Sequence, residues 1–388
     1  MRVTHVITRL IVGGAQENTV STVLGLNRKK NLQVDLISGP TTGPEGSLET
    51  AFAATPNLLT IEPDLVRPVH PYKDVRTLAH LTQIFKNTKP VIVHTHSGKA
   101  GVLGRIAAHR AGVPLIVHTI HGPSFGNFQN RFANFIFRSA EQYTAKFTTH
   151  FISVANAMTE QYLAAGIGKP AQYTRIFSGF ELEPFLSASN DLALRQKLGI
   201  APNDFVVGKI ARLFELKGHD DLFEIAPELV SRCPQIKFLF VGDGKWRQRF
   251  ELRARALGLE KQFIFTGLIP PGEVPRHVGI MDALVHLSLR EGLPRALPQA
   301  LAAAKPVVAY DCDGAKEICI TDETGFLIQP GNTAAVAEKL ILLAEHPELR
   351  QKLGHRGQQM VKAFFPVDRM VDNIYDLYLK LGTNTQRD

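Results

Sequence analysis

Residues 93–122 read VHTHSGKAGVLGRIAAHRAGVPLIVHTIHG, and this stretch decides the class of fold. Two runs rich in β-branched residues, 91–96 and 115–119, bracket a stretch long enough for a crossover helix. A strand, a helix and a second strand in that order point to a parallel pair. The same alternation extends in both directions. Upstream and downstream of the pair, strands are expected over 3–8, 34–38 and 151–154. A second series follows over 205–211, 237–241, 263–266, 283–287 and 306–310. Two such series predict an α/β chain of two doubly wound domains. Ligands of open parallel sheets collect beyond the carboxyl ends of the strands, so two facing sheets would place a site in the cleft between them.

The boundary is expected near residues 180–195, where the small, polar stretch 187–191 follows a turn at Ser178-Gly179. The domains are drawn as 1–185 and 186–365. Beyond them, Val367, Met370, Val371, Ile374, Leu377, Tyr378 and Leu381 mark one face of a helix over 366–382 that Pro366 introduces. Such a helix needs a surface to cover.

Composition agrees with a globular chain: of 388 residues, 44% are hydrophobic and 21% charged, enough for a sizeable core in each of two domains. Three cysteines, Cys233, Cys312 and Cys319, without CxxC spacing indicate neither a disulfide framework nor a zinc knuckle, and they fit a reducing cytosol. The N-terminus runs straight into a strand pattern and no window of about 18 apolar residues occurs, so neither a signal peptide nor a membrane span is expected. A net charge of +8 favours anionic partners such as phosphorylated metabolites or acidic lipid surfaces. Lys and Arg are scattered, and the triplet Arg28-Lys29-Lys30 reads as a polar turn after a helix, so nucleic acid is not expected as a partner.

Several strand ends carry chemistry. Gly13-Gly14 follows the first strand and opens a helix, which exposes backbone N–H groups to an anion, although a tight turn alone accounts for the same residues. In GKIARLFELKGHDD, residues 208–221, Arg212 and Lys217 sit just beyond a strand and just before a helix. A planar fork of donors and a mobile ammonium at one point suit a diphosphate, while two solvated surface cations are the plain alternative. His94, His96, His118 and His121 lie at the ends of two successive strands; sugar or phosphate contact is favoured over a zinc cluster, because no carboxylate or thiolate accompanies them at ligand spacing, and strand residues facing a helix are the plain alternative for His94 and His118. Phe128, Phe132, Phe135 and Ile136 sit at helical spacing, for which core packing is the default and an apolar acceptor groove or membrane contact the alternative. Finally, REGLPRALPQ, residues 290–299, sets a lone carboxylate, Glu291, immediately before what looks like a helix opened by Gly292-Leu293-Pro294 and pointed at phosphate.

With these segments in view, the chain resembles the retaining glycosyltransferases of family four, which have the GT-B fold. The resemblance is carried in order by VITRLIVGGAQ, the 93–122 stretch, ARLFELKG, FLFVGDG, FTGLIPPGEVP, LREGLPRALPQALAAAKPVVA and ETGFLIQPGN. It implies two Rossmann-like domains facing across a cleft, the last helix crossing back to the first domain and the C-terminal domain holding a nucleotide-sugar. By this resemblance Arg212 and Lys217 hold the donor diphosphate and Gly14 approaches it from the opposite domain. His121 faces the transferred sugar, Glu291 lies beside its hydroxyls, residue 299 meets the ribose, and backbone near Leu268 and Ile269 contacts the base. The acceptor is a glycan or a lipid-linked glycan, and the location cytoplasmic or peripheral on the inner face of the membrane. No cofactor and no metal are implied.

The sequence departs from the family pattern in three places. Residue 299 is Gln where the family has a second Glu, Pro298 falls inside a helix counted from Pro294 unless that helix starts later, and Ala304 stands where Gly is usual at the helix end. Glycoside hydrolysis is disfavoured, since its two carboxyl groups stand about 5 to 9.5 Å apart, whereas residues eight apart on a helix are separated by about 12 Å of rise. The DCDG stretch, 311–314, offers a superficial carboxylate pair for a metal, and in the resembled family it is a backbone turn near the sugar. A non-catalytic nucleotide-sugar binder and a nucleotide-sugar epimerase of the same architecture are the alternatives to transfer.

Overall fold

The apolar strand runs are buried on both faces, which only a helix-covered parallel sheet provides. The computed structural model describes residues 1–43, 46–96, 98–126 and 128–384. The chain divides into two compact units, one of Met1–Phe180 with the C-terminal segment from Val367, the other of Glu181–Pro366.

In the first unit the strands are β1 (Arg2–Ile7), β2 (Gln33–Ser38), β3 (Leu59–Ile61), β4 (Ile92–His96), β5 (Leu115–Ile120), β6 (His150–Ser153) and β7 (Tyr173–Arg175). They form one sheet in the order β3-β2-β1-β4-β5-β6-β7, and the paired strands are parallel. Side chains alternate between two cores. Val3, Ile7, Ile92, Leu115 and Val117 pack beneath Met370, Val371, Ile374, Leu377 and Tyr378 of the helix Val367–Asn384. Val6, Val93 and Ile116 pack on the opposite face with Leu81, Phe85, Ala100 and Ala107. That last helix fits closely: a Cβ on Gly25 would meet Val371 Cγ2 at 2.5 Å. After the helix Gly14–Asn27, Arg28-Lys29-Lys30 forms the expected polar turn, in which Lys29 pairs with Asp372.

The second unit holds β8 (Phe205–Ile210), β9 (Ile236–Val241), β10 (Phe263–Phe265), β11 (Ala283–His286), β12 (Val307–Tyr310) and β13 (Gly325–Ile328) in the order β10-β9-β8-β11-β12-β13, again with parallel pairs. One face of its core joins Val207, Phe238, Phe240, Val285 and Val308 to Leu222, Phe223 and Ala226 of the helix His219–Arg232 and to Val336 and Leu340 of the helix Thr333–Glu345.

Strands β3, β7 and β13 are absent from the sequence-based expectation; all three are short and lie at sheet edges. The phenylalanine series needs a correction. On the helix Arg131–Ala145, Phe132 is 76%, Phe135 66% and Ile136 46% exposed, so core packing fails for these three. The inward stripe is Glu141 and Thr144 instead, anchored by Arg105 Nη2, which donates to Glu141 Oε2 at 2.5 Å with both side chains buried. Among the described residues, no helix is long and apolar enough to cross a membrane.

Candidate active site

Three loops that follow the adjacent strands β8, β11 and β12 converge at their carboxyl ends, the usual ligand position in an open parallel sheet. The loop after β8 carries Arg212 and Lys217 and ends at Gly218, the N-cap of the helix His219–Arg232. Gly218 has φ 61°, and a Cβ there would sit 2.0 Å from the Leu287 carbonyl oxygen, so only glycine lets this loop cross the end of β11. Leu289 N–H donates to the Leu216 carbonyl at 2.9 Å, fastening the β8 loop to the β11 loop. From the third loop, Asp313 Oδ2 accepts from the Glu291 N–H at 2.6 Å and Gly314 N–H donates to the Gly292 carbonyl at 3.1 Å.

This arrangement brings two of the expected residues into contact. Lys217 Nζ donates to Glu291 Oε1 at 2.5 Å, and the two side chains are 18% and 19% exposed. His286 Nε2, at the end of β11, lies 3.3 Å from the same oxygen, close enough for an ion-pair contact but poorly aligned for a hydrogen bond. Burial pushes the Glu291 carboxyl up, but the Lys217 charge and the His286 contact together outweigh it and hold the group well below the usual carboxylate range. Burial pulls His286 down, opposed by Glu291. Lys209, on β8 and almost fully buried, is brought to about 7 by burial and then by the charge of Lys217, against the opposing pull of Asp221 and Glu291. The site therefore joins a carboxylate held ionised to the Lys217 amine, with the buried Lys209 close enough to feel both charges.

Arg212 stays on the exposed side of its loop with its guanidinium 5.7 Å from the Phe214 ring centroid. Leu268, 51% exposed, and Ile269 follow β10 at the same edge, where Gly242 and Gly267 bridge the ends of β9 and β10. The helix after Glu291 starts later than Gly292-Leu293-Pro294 suggests: it spans Ala296–Ala302, with Gly292 and Leu293 buried in the preceding loop. Pro298 thereby falls in the first helical turn, where a missing N–H leaves no intrahelical bond unmade, and the awkward proline is resolved. Gln299 is half-buried on that helix. Of the DCDG stretch, Asp313 is committed to the Glu291 backbone rather than to a carboxylate pair.

In the first unit, Gly14 is the exposed first residue of the helix Gly14–Asn27 and has Glu17 in its first turn. The four expected histidines separate. His94 and His118 are buried strand residues that face helices, the plain alternative for them, and His96 is buried at the end of β4, so none of the three is open to a sugar or phosphate; His121 is half-buried. His118 faces the opposite core with Nδ1 2.8 Å from Thr95 Oγ1. His5, His94 and His96 place ring nitrogens within 4.8 Å of one another. A zinc ion would need their lone pairs aimed at one point about 2.0 to 2.1 Å away. Instead all six nitrogens are engaged in hydrogen bonds with one another, with Tyr378, Thr119 and His121. Sequence reasoning missed His5 and Tyr378 here, and Lys209, His286 and Asp313 in the second unit. For His5, one signal was present: it shares a period-two face with Val3 and Ile7.

Two doubly wound parallel α/β units, one with a lysine–carboxylate pair at its strand ends, define a class of α/β ligand-binding proteins, and comparison with known proteins narrows it. The pattern of the glycosyl transferases group 1 matches residues 190–360, and that of the glycosyl transferase 4-like domain matches residues 13–177. The chain is 30% identical over 326 residues to the UDP-Gal:alpha-D-GlcNAc-diphosphoundecaprenol alpha-1,3-galactosyltransferase of Escherichia coli, covering 83% of this chain and 84% of the relative. It is 24% identical to the capsular polysaccharide biosynthesis glycosyltransferase CapM of Staphylococcus aureus, covering 91% and 92%. In structure it is similar to Anabaena HepE solved with UDP-glucose, with a TM-score of 0.81 at 21% identity over 98% of this chain and all of that one. The chain belongs to the family-four glycosyltransferases of the GT-B fold and is a nucleotide-sugar glycosyltransferase.

Proposed function

We propose that the second unit holds a nucleoside diphosphate sugar at the carboxyl ends of β8, β11 and β12, and that Lys217 and Arg212 stabilise the diphosphate as it leaves, without a metal. The observation that carries this reading is the Lys217–Glu291 pair, an ammonium held in place with a carboxylate beside it. As the bond from the sugar C1 to the diphosphate oxygen breaks, its electron pair stays on the diphosphate, where fixed positive charge counts most. The acceptor oxygen bonds C1 on the same face, giving retention, and its proton passes to the departing phosphate. Glu291 reads the sugar hydroxyls, Gln299 the ribose, backbone at Leu268 and Ile269 the base, and Gly292 and Leu293 line the approach to the diphosphate. In the first unit, Gly14 is read as a phosphate contact and His121 as a sugar contact.

A uridine donor is supported by the uridine sugar in the name of the E. coli relative, and a lipid-diphosphate-linked glycan acceptor by the same name. Such an acceptor sits at a membrane surface, where exposed Phe132, Phe135 and Ile136 and a net charge of +8 favour peripheral attachment on the cytoplasmic side. Thermal-shift screening against a panel of nucleoside diphosphate sugars, followed by phosphorus NMR of the best donor with and without acceptor, tests the reading. Release of free nucleoside diphosphate together with a glycosylated acceptor supports it; no shift with any donor contradicts it.

A further inference from the structure

A continuous line of hydrogen bonds runs through the buried face of the first unit and ends at His121. Thr119 Oγ1 is 2.6 Å from His94 Nε2, His94 Nδ1 2.5 Å from Tyr378 Oη, and Tyr378 Oη 3.4 Å from His5 Nε2. His5 Nδ1 is then 2.9 Å from His96 Nε2, and His96 Nδ1 3.1 Å from His121 Nε2. The line exists because residues 3, 5 and 7 of β1, 92, 94 and 96 of β4 and 115, 117 and 119 of β5 share one face beneath the helix that carries Tyr378. His121 Nδ1 has no hydrogen-bond partner among the described residues, and the ring is half-buried, so this edge is the open end of the line.

We infer that this buried line is a positioning device that fixes His121 as the Nδ1–H tautomer, so that its open edge donates a hydrogen bond to an oxygen ligand, a sugar hydroxyl. The direction is set at the closed end. Thr119 is 3% exposed, and its hydroxyl has His94 Nε2 as its sole partner among the described residues. Were His94 Nε2 protonated, the hydroxyl hydrogen would be buried without an acceptor, a loss of about 1–3 kcal/mol. Thr119 therefore donates to His94 Nε2. A neutral imidazole has one donor and one acceptor nitrogen, so each link then dictates the next. His94 Nδ1–H donates to Tyr378, the Tyr378 hydroxyl to His5 Nε2, His5 Nδ1–H to His96 Nε2, and His96 Nδ1–H to His121 Nε2. The remaining proton of His121 must sit on Nδ1. Burial keeps each link neutral, bringing His5 to about 3 and holding His94 and His96 well below their ordinary value.

The sugar as recipient rests on the proposed function, whereas the tautomer does not. Long-range 1H–15N correlation spectra of histidine-labelled protein at pH 8, without substrate and with His121→Gln for assignment, read it directly. The expected result is a protonated Nδ1 and an unprotonated Nε2 on His121; the reverse pattern overturns the inference. Tyr378→Phe and, as a second variant should that one not fold, Thr119→Val break the line while keeping its shape. Either removes a hydroxyl that fixes the direction and is expected to leave His121 as a mixture of Nδ1–H and Nε2–H, and a folded variant that leaves the tautomer unchanged overturns the role of the line. The expected tautomer in a protein that transfers no sugar would sink the proposed function and leave this inference standing.

Discussion

Lys217 Nζ lies 2.5 Å from Glu291 Oε1 although the two residues are 74 positions apart, and neither side chain is more than a fifth exposed. The contact depends on Gly218 crossing β11 and on Asp313 holding the Glu291 backbone. In Glu291→Gln the amide oxygen still accepts from Lys217, so the loops stay joined, but the charge that orients the ammonium, and that reads the sugar in the proposed function, is lost. Turnover is expected to fall by about 100-fold with little change in melting temperature, measured by initial rates and a thermal melt on the same sample. Equal loss of folding would make Glu291 a structural residue.

In the proposed function Gln299, half-buried on the helix Ala296–Ala302, meets the ribose as a neutral contact where a carboxylate would form a charge-assisted one. Gln299→Glu is expected to tighten nucleoside diphosphate binding by about fivefold, or about 1 kcal/mol, by calorimetry. Unchanged or weaker affinity would place the ribose elsewhere.

Ala304 has φ 55°, a left-handed conformation in which a Cβ is crowded. Ala304→Gly removes that strain, offset in part by the entropy glycine gains on unfolding, for a net gain of about 1 kcal/mol. A rise of about 2–4 °C in melting temperature is expected, and a fall would contradict the strain.

Acid should weaken the fold through the first unit. In the folded chain, burial keeps His5 neutral down to about 3, and keeps His94, His96 and His118 well below their ordinary value of 6.5. The unfolded chain takes up these protons first, so stability is fully present above pH 6.5 and is lost as pH falls from there toward 3. Each histidine contributes up to about 1.4 kcal/mol per pH unit within its window. Urea midpoints at pH 7.5 and pH 5 measure the effect, and an equal or higher midpoint at pH 5 would contradict it.

The strand–helix alternation was legible because buried parallel strands must be apolar throughout, and the strands that escaped, β3, β7 and β13, lie at sheet edges. Lys217 and Glu291 each stood out in the sequence, but their contact is made by loops folding across strand ends, which no local pattern encodes. Lys209 looks like an ordinary polar strand residue, and only the sheet shows that it is buried beneath the site. Tyr378 read as one more apolar member of a helical stripe. Its hydroxyl gains a role through His5, 373 positions away, and periodicity records the ring and not the oxygen.

The most direct test is the turnover of Lys217→Ala with a donor whose binding has been verified. The account predicts a fall in kcat of about 100- to 1,000-fold, because the leaving diphosphate loses its fixed ammonium. A folded Lys217→Ala protein that releases nucleoside diphosphate at the wild-type rate would contradict it.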